Sequence, residues 1–150
     1  MALKQRIQDD LKAALLSGDR FAGETLRGLK AAILNEEVAQ GKRDDGLDDA
    51  TIEQIIAKEV KKRNEAAALY DQNNRQDSAA DERHEAEILM IYLPKQLSEA
   101  ELKTVVDAKV RELGATDAKM MGQVIGAVKK DVGNTADGGM IARLVKAALS

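Results

Sequence analysis

The sequence predicts an all-α protein, and three observations carry that prediction. Apolar residues return every three or four positions along most of the chain, the spacing of one helix face. Alanine, leucine, lysine and glutamate, all strong helix formers, recur throughout. Aromatic residues make up only 2% of the 150 residues (Phe21, Tyr70 and Tyr92, with no tryptophan), and strict apolar–polar alternation is missing, so little favours a sheet. An apolar fraction of 44% allows a core, built from small aliphatic side chains.

Leu3, Ile7, Leu11 and Leu15 form the first stripe, which Ser17-Gly18-Asp19 closes while opening the next helix. Ala22, Leu26, Leu29, Ile33 and Val38 form the second, and the polar run from Gln40 to Gly46 follows it. Asp48 is placed as the N-cap of a third helix, with Leu47 able to staple onto Ile52. Ile52, Ile56, Val60, Ala67 and Tyr70 continue that face. The polar stretch from Asp71 to Asp77 breaks the pattern, and Ser78 with Asp81 is the expected start of a fourth helix reaching about Tyr92.

Pro94, the sole proline, lacks a backbone donor and turns Leu93 away from helical geometry. Ser98-Glu-Ala-Glu101 then reads as a capping box flanked by a Leu97–Leu102 staple. These signals place a hinge at residues 93–97. They divide the chain into an N-terminal domain of about four helices forming helical hairpins (1–93) and a C-terminal three-helix domain (94–150). In the latter, Leu102, Val105, Val106, Val110 and Leu113 line one helix, which Gly114 ends. Thr116-Asp117 opens a second, lined by Met121, Val124, Ile125 and Val128 and ending near Gly133. Asp137 is the expected cap of the last, with Ile141, Leu144, Val145 and Ala148 as its stripe.

Composition excludes several function classes. There is no cysteine, hence no disulfide, thiolate metal site or cysteine nucleophile. That usage suits the cytoplasm, and the charged N-terminus does not read as a signal peptide. No apolar run approaches the ~20 residues that span a bilayer. His84 has no second histidine or cysteine to complete a zinc site. Phosphate-loop, dinucleotide-turn and nucleophile-elbow motifs are missing. No catalytic residue, metal site or cofactor is therefore assigned.

Charge and glycine usage point to the C-terminal stretch. The chain carries −3 overall, but residues from 93 onward hold nine Lys and Arg against seven Asp and Glu. Gly133-Asn-Thr-Ala-Asp-Gly-Gly139 joins two amphipathic patterns and has Lys129, Lys130, Arg143 and Lys146 near it. It admits two readings. Bare N–H groups at a helix start suit a phosphate; a helix-ending glycine followed by a flexible start is the ordinary alternative. Gly122 and Gly126 form a G-x-x-x-G face, expected to mark close approach of a neighbouring helix. Lys58, Lys61, Lys62 and Arg63 lie among Glu59 and Glu65, which reads as a charge-laced solvent face with a Lys61–Glu65 pair.

Tyr92-Leu-Pro-Lys-Gln-Leu-Ser98, together with Met121-Gly-Gln-Val and Ala136-Asp-Gly-Gly-Met-Ile141, resembles the YqeY family. The resemblance extends to the opening Leu3-Lys-Gln-Arg-Ile, to Thr25-Leu-Arg27, to Asn35-Glu-Glu37 and to residues 59–65. Its C-terminal part is similar to the tail domain of GatB, a subunit of the glutamine-dependent amidotransferase acting on misacylated tRNA. The resemblance implies a tRNA contact through Lys119, Lys129, Lys130, Gly133, Gly138, Gly139, Arg143 and Lys146, with tRNA and an amidotransferase or aminoacyl-tRNA synthesis protein as partners. Gly126 and Gly139 depart from the family pattern, in which larger or basic residues are common. The leading expectation is a non-catalytic tRNA-binding or amidotransferase-associated module in the cytoplasm. A protein-docking or self-association module is the alternative. Direct participation in glutamine-dependent tRNA amidation, a carbon–nitrogen ligase reaction, ranks below both.

Overall fold

The structure, a computed structural model, describes residues 2–150. Among the described residues it contains seven α-helices, two short 3-10 turns and no strand. The helices are α1 (Ala2–Ser17), α2 (Arg20–Ala39), α3 (Asp49–Gln72), α4 (Gln76–Met90), α5 (Glu99–Leu113), α6 (Met121–Val132) and α7 (Gly138–Ala148). The 3-10 turns cover Ala118–Met120 and Gly133–Thr135. Two compact units form, one reaching Leu93 and the other running from Pro94 to Ser150. Each has its own apolar core.

In the first unit, Asp19 accepts from the Ala22 N–H and starts α2 immediately after Gly18, so α1 and α2 make a tight hairpin. Asp48 accepts from the Thr51 N–H at the start of α3, and Leu47 and Ile52 are both buried beside that cap. Ile7, Leu29, Ile33, Ile56 and Leu89 fill the centre. Two stripe positions fall outside it: Leu15 is 51% exposed and Val38 58% exposed. Three four-residue steps from Leu3 to Leu15 rotate a side chain about 120° away from its starting face. Ala14 and Glu37 occupy the inward positions instead.

The α3–α4 turn is shorter than the polar stretch suggests. It is confined to residues 73–75, where Asn74 takes a left-handed conformation with φ 58°. Ser78 lies inside α4 rather than at its cap. Asp71 and Asp77 belong to the helices because a polar side chain on an outward face does not break a helix; Asp71 there receives Arg83. Tyr92 closes the unit: its hydroxyl donates to Asp10 at 2.6 Å, and the Arg6 guanidinium lies 4.9 Å from its ring centre. Burial and the Asp10 carboxylate push the phenol upward from its ordinary range.

In the second unit, Ser98 and Glu101 form the reciprocal capping box, each hydrogen bond 3.1 Å long. Glu101 is held below the usual carboxylate range by the Ser98 N–H and hydroxyl. Gly114 ends α5 in the left-handed region at φ 62°. Leu102 and Val106 of α5 meet Val124 and Val128 of α6 and Ile141, Leu144 and Val145 of α7. The glycine pair corrects an expectation. Gly122 and Gly126 are exposed, and nothing lies within 4 Å of where their Cβ atoms would stand. Gly126 is two residues from both Val124 and Val128, about 200° around the helix from the core stripe.

Alanine at either glycine should therefore stabilise the fold, by roughly 0.5–1 kcal/mol each in urea unfolding. A loss of stability would mean that the face is covered. Gly133→Ala should act oppositely, costing about 1–2 kcal/mol, because φ at Gly133 is 55°.

Candidate nucleic-acid interface

Gly133 ends α6 with φ 55° and ψ −132°, a conformation that only glycine adopts freely. The 3-10 turn follows, and the Thr135 hydroxyl donates to the Val132 carbonyl at 2.6 Å. Two residues ahead of α5 hold this turn. The Leu97 N–H donates to the Thr135 carbonyl at 2.8 Å. The Gln96 amide donates to the Asn134 carbonyl at 2.9 Å and to the Pro94 carbonyl at 2.8 Å. Leu97 also rests on the core of this unit. The clasp leaves no trace in the sequence pattern, because a glutamine amide meeting a main-chain carbonyl 38 residues away has no local signature.

Asp137 starts α7 by accepting from the Met140 N–H at 3.1 Å. One early donor of the helix is thereby filled from within the chain, and the N–H groups of Gly138 and Gly139 remain at the helix start. Lys129, in the last turn of α6, reaches across to it. A Cβ on Gly138 would stand 3.5 Å from Lys129 Cε and 3.6 Å from its Nζ. The structure thus brings together Lys129, Gly138 and the positive end of α7.

The other expected residues lie further apart. Lys130 is exposed on the outer side of α6. Lys119 belongs to the 3-10 turn before α6, and its N–H donates to Asp117 at 2.9 Å. Lys146 comes eight residues after Gly138, about 12 Å along the helix axis. Arg143 is engaged by Glu99 of α5 at 3.1 Å, an exposed pair of little energetic weight. Gly139, on the outer side of α7, is exposed.

Carboxylates of this unit are committed elsewhere. Glu99 pairs with Arg143, Asp107 with Lys103, and Glu112 and Asp131 both with Lys109. Asp131 and Glu112 hold the Lys109 ammonium above the ordinary lysine range. Glu101, Asp117 and Asp137 cap helices. Among the described residues of this unit, Lys119, Lys129, Lys130 and Lys146 are exposed and in no ion pair, as are Lys95 and Arg111. Lys129, Lys130 and Lys146 also stand in the last turns of their helices, where a cation offsets the helix dipole.

Other candidate positions are plainer. Lys62 and Arg63 both engage Glu59, at 2.9 and 3.5 Å, and Arg63 also approaches Glu85 at 3.5 Å. Glu59 takes the place of Glu65 as the acid of that face. His84 stacks on Phe21 with ring centres 4.5 Å apart. No group of three or more side chains able to hold a metal occurs among the described residues. No helix among them is long and apolar enough to cross a membrane.

The family model for YqeY-like proteins matches residues 4–149, nearly all of the sequence. The chain belongs to the YqeY family. It is 36% identical over 110 residues to altered inheritance of mitochondria protein 41 of Lachancea thermotolerans, covering 71% of this chain and 55% of that protein. The Kluyveromyces lactis protein of the same name is 34% identical over 121 residues, covering 79% and 59%. That of Clavispora lusitaniae is 27% identical over 133 residues, covering 87% and 74%. The chain thus spans little more than half the length of the first two of these YqeY-family relatives. All three are named as mitochondrial proteins, which overturns the cytoplasmic expectation. Lack of cysteine rules out a disulfide framework but does not separate one reducing compartment from another.

Replacing Gln96 by alanine removes both of its clasp bonds. Thermal or urea unfolding should show a loss of about 1 kcal/mol, with faster hydrogen exchange at the Leu97 amide. An unchanged exchange rate would show that the turn is held by other contacts.

Proposed function

We propose that residues 94–150 form an RNA-binding unit for the tRNA backbone, serving a tRNA-amidating or aminoacyl-tRNA synthesis assembly and doing no chemistry of its own. The supporting observation is the surplus of exposed, unpaired cations: Lys119, Lys129, Lys130 and Lys146, together with Lys95 and Arg111, remain after every carboxylate of the unit is paired or capping a helix. The spread of the first four lysines over the 3-10 turn before α6, α6 itself and α7 suits a ligand with repeated charges better than a single small anion. The Gly138 and Gly139 N–H groups beside Lys129 would give one phosphate directional donors. The choice of tRNA rests on the sequence resemblance of this part to the GatB tail.

A docking role has one observation in its favour, the bare face at Gly122 and Gly126, which a partner helix could approach closely. It ranks second because exposed lysines in no ion pair flank those glycines in sequence, Lys119 before Gly122 and Lys130 after Gly126.

Binding through phosphates requires affinity to fall with salt, with a log–log slope of about −0.7 to −0.9 for each phosphate neutralised. Titration of the full chain with tRNA at several salt concentrations should show this slope. Lys129→Glu with Lys130→Glu should flatten it by roughly two phosphates' worth and weaken binding at low salt. Absence of binding at low salt, or unchanged affinity in the double variant, removes the proposal. A salt-resistant complex with a protein partner would favour docking.

A further inference from the structure

Glu37 sits where the α2 stripe turns inward and is only 2% exposed. Its carboxylate meets the Lys4 ammonium of α1 at 2.7 Å. Glu37 is withdrawn from water while Lys4 keeps 29% of its side chain exposed, so the acid gives up its hydration for one partly solvated cation, a poor exchange for stability. The pair therefore calls for a reason beyond holding α1 to α2.

A cleft between the two helices supplies one. It has a volume of about 290 Å³ and lies over the ion pair. Ile7 of α1 and Ala31, Ile33 and Leu34 of α2 make its apolar wall. Leu34 is 43% exposed, so an apolar surface reaches the opening. Lys30 also lines the cleft, is exposed, and forms no ion pair among the described residues. Two ammonium groups and one carboxylate leave a net charge of +1 facing an apolar hollow. The complementary occupant carries one negative charge and a short aliphatic body.

We propose that the α1–α2 cleft binds a small aliphatic monocarboxylate. Its carboxylate is taken by Lys30 and by Lys4, which Glu37 fixes in place, and its chain covers Ile7, Ala31 and Leu34. The volume is at the lower limit of small-molecule sites, which restricts the ligand to a short chain. Glu37 then acts as a positioning residue: it sets the place of the Lys4 charge and bars a second carboxylate.

The test is an amide-shift NMR titration of the full chain with hexanoate, hexanol and hexylamine. Hexanoate should saturate, with the shifts centred on Lys4, Lys30 and Leu34. Hexylamine should bind at least about tenfold more weakly, since it offers the cleft the wrong charge. Lys30→Met should cut hexanoate affinity about tenfold and leave hexanol unchanged, while Leu34→Ser, which removes apolar wall without adding charge, should weaken hexanoate and hexanol alike. Lys30 and Leu34 lie at the surface, and far-ultraviolet circular dichroism would confirm that both variants fold; Lys58→Met on the exposed side of α3 controls for loss of a surface charge. Non-saturating hexanoate shifts, equal affinity for hexylamine, or unchanged hexanoate binding in Lys30→Met would overturn the proposal.

Discussion

Everything in the C-terminal unit depends on the clasp between residues 96–97 and the carbonyls of Asn134 and Thr135. Those carbonyls belong to a turn that could not be buried unsatisfied, since an orphaned main-chain acceptor costs about as much as a lost hydrogen bond. Gln96 and Leu97 satisfy them at 2.9 and 2.8 Å. In doing so they fix where α5 begins relative to the α6–α7 junction. The capping box at Ser98 follows one residue later, so the start of α5 is set from both sides. With the junction held, Lys129 of α6 comes to rest beside Gly138 of α7. The position of the candidate phosphate donors is thus a consequence of a main-chain constraint, and Gly133 is the residue whose backbone freedom lets the junction form.

The same unit shows how a modest net charge produces a cationic surface. Its excess of basic over acidic residues is only two. Carboxylates that cap helices or pair with neighbouring cations are turned toward main-chain N–H groups or toward single partners. The lysines left over face solvent. Surface potential therefore follows from which charges are committed to the fold, and the sum of formal charges understates it.

Local signals made most of the helix starts legible. Asp48, Ser98, Asp117 and Asp137 each carry the cap that their side-chain chemistry suggests, because capping involves residues two or three apart. Helix faces were legible over two turns and less so beyond: Leu15 drifts outward because repeated four-residue steps exceed the helical repeat, and Val38, five residues after Ile33, stands about 140° round the helix from it. The α3–α4 junction was overestimated in length because polar residues are as compatible with the outside of a helix as with a loop. At Gly122 and Gly126 the spacing was visible but its meaning was not, since only the surrounding atoms tell an open face from a covered one. Lysine identities at the candidate interface could be read directly. Which of them remain unpaired could not, as in the case of Arg143, whose partner Glu99 is 44 residues distant.

Hydrogen exchange of the full chain with and without tRNA bears most directly on the claim that this family member holds RNA through its C-terminal unit. Bound tRNA should slow exchange along α6 and α7, most strongly at the Gly138 and Gly139 amides beside Lys129. Protection confined to residues 2–93, or an exchange pattern that tRNA leaves unaltered, would contradict it.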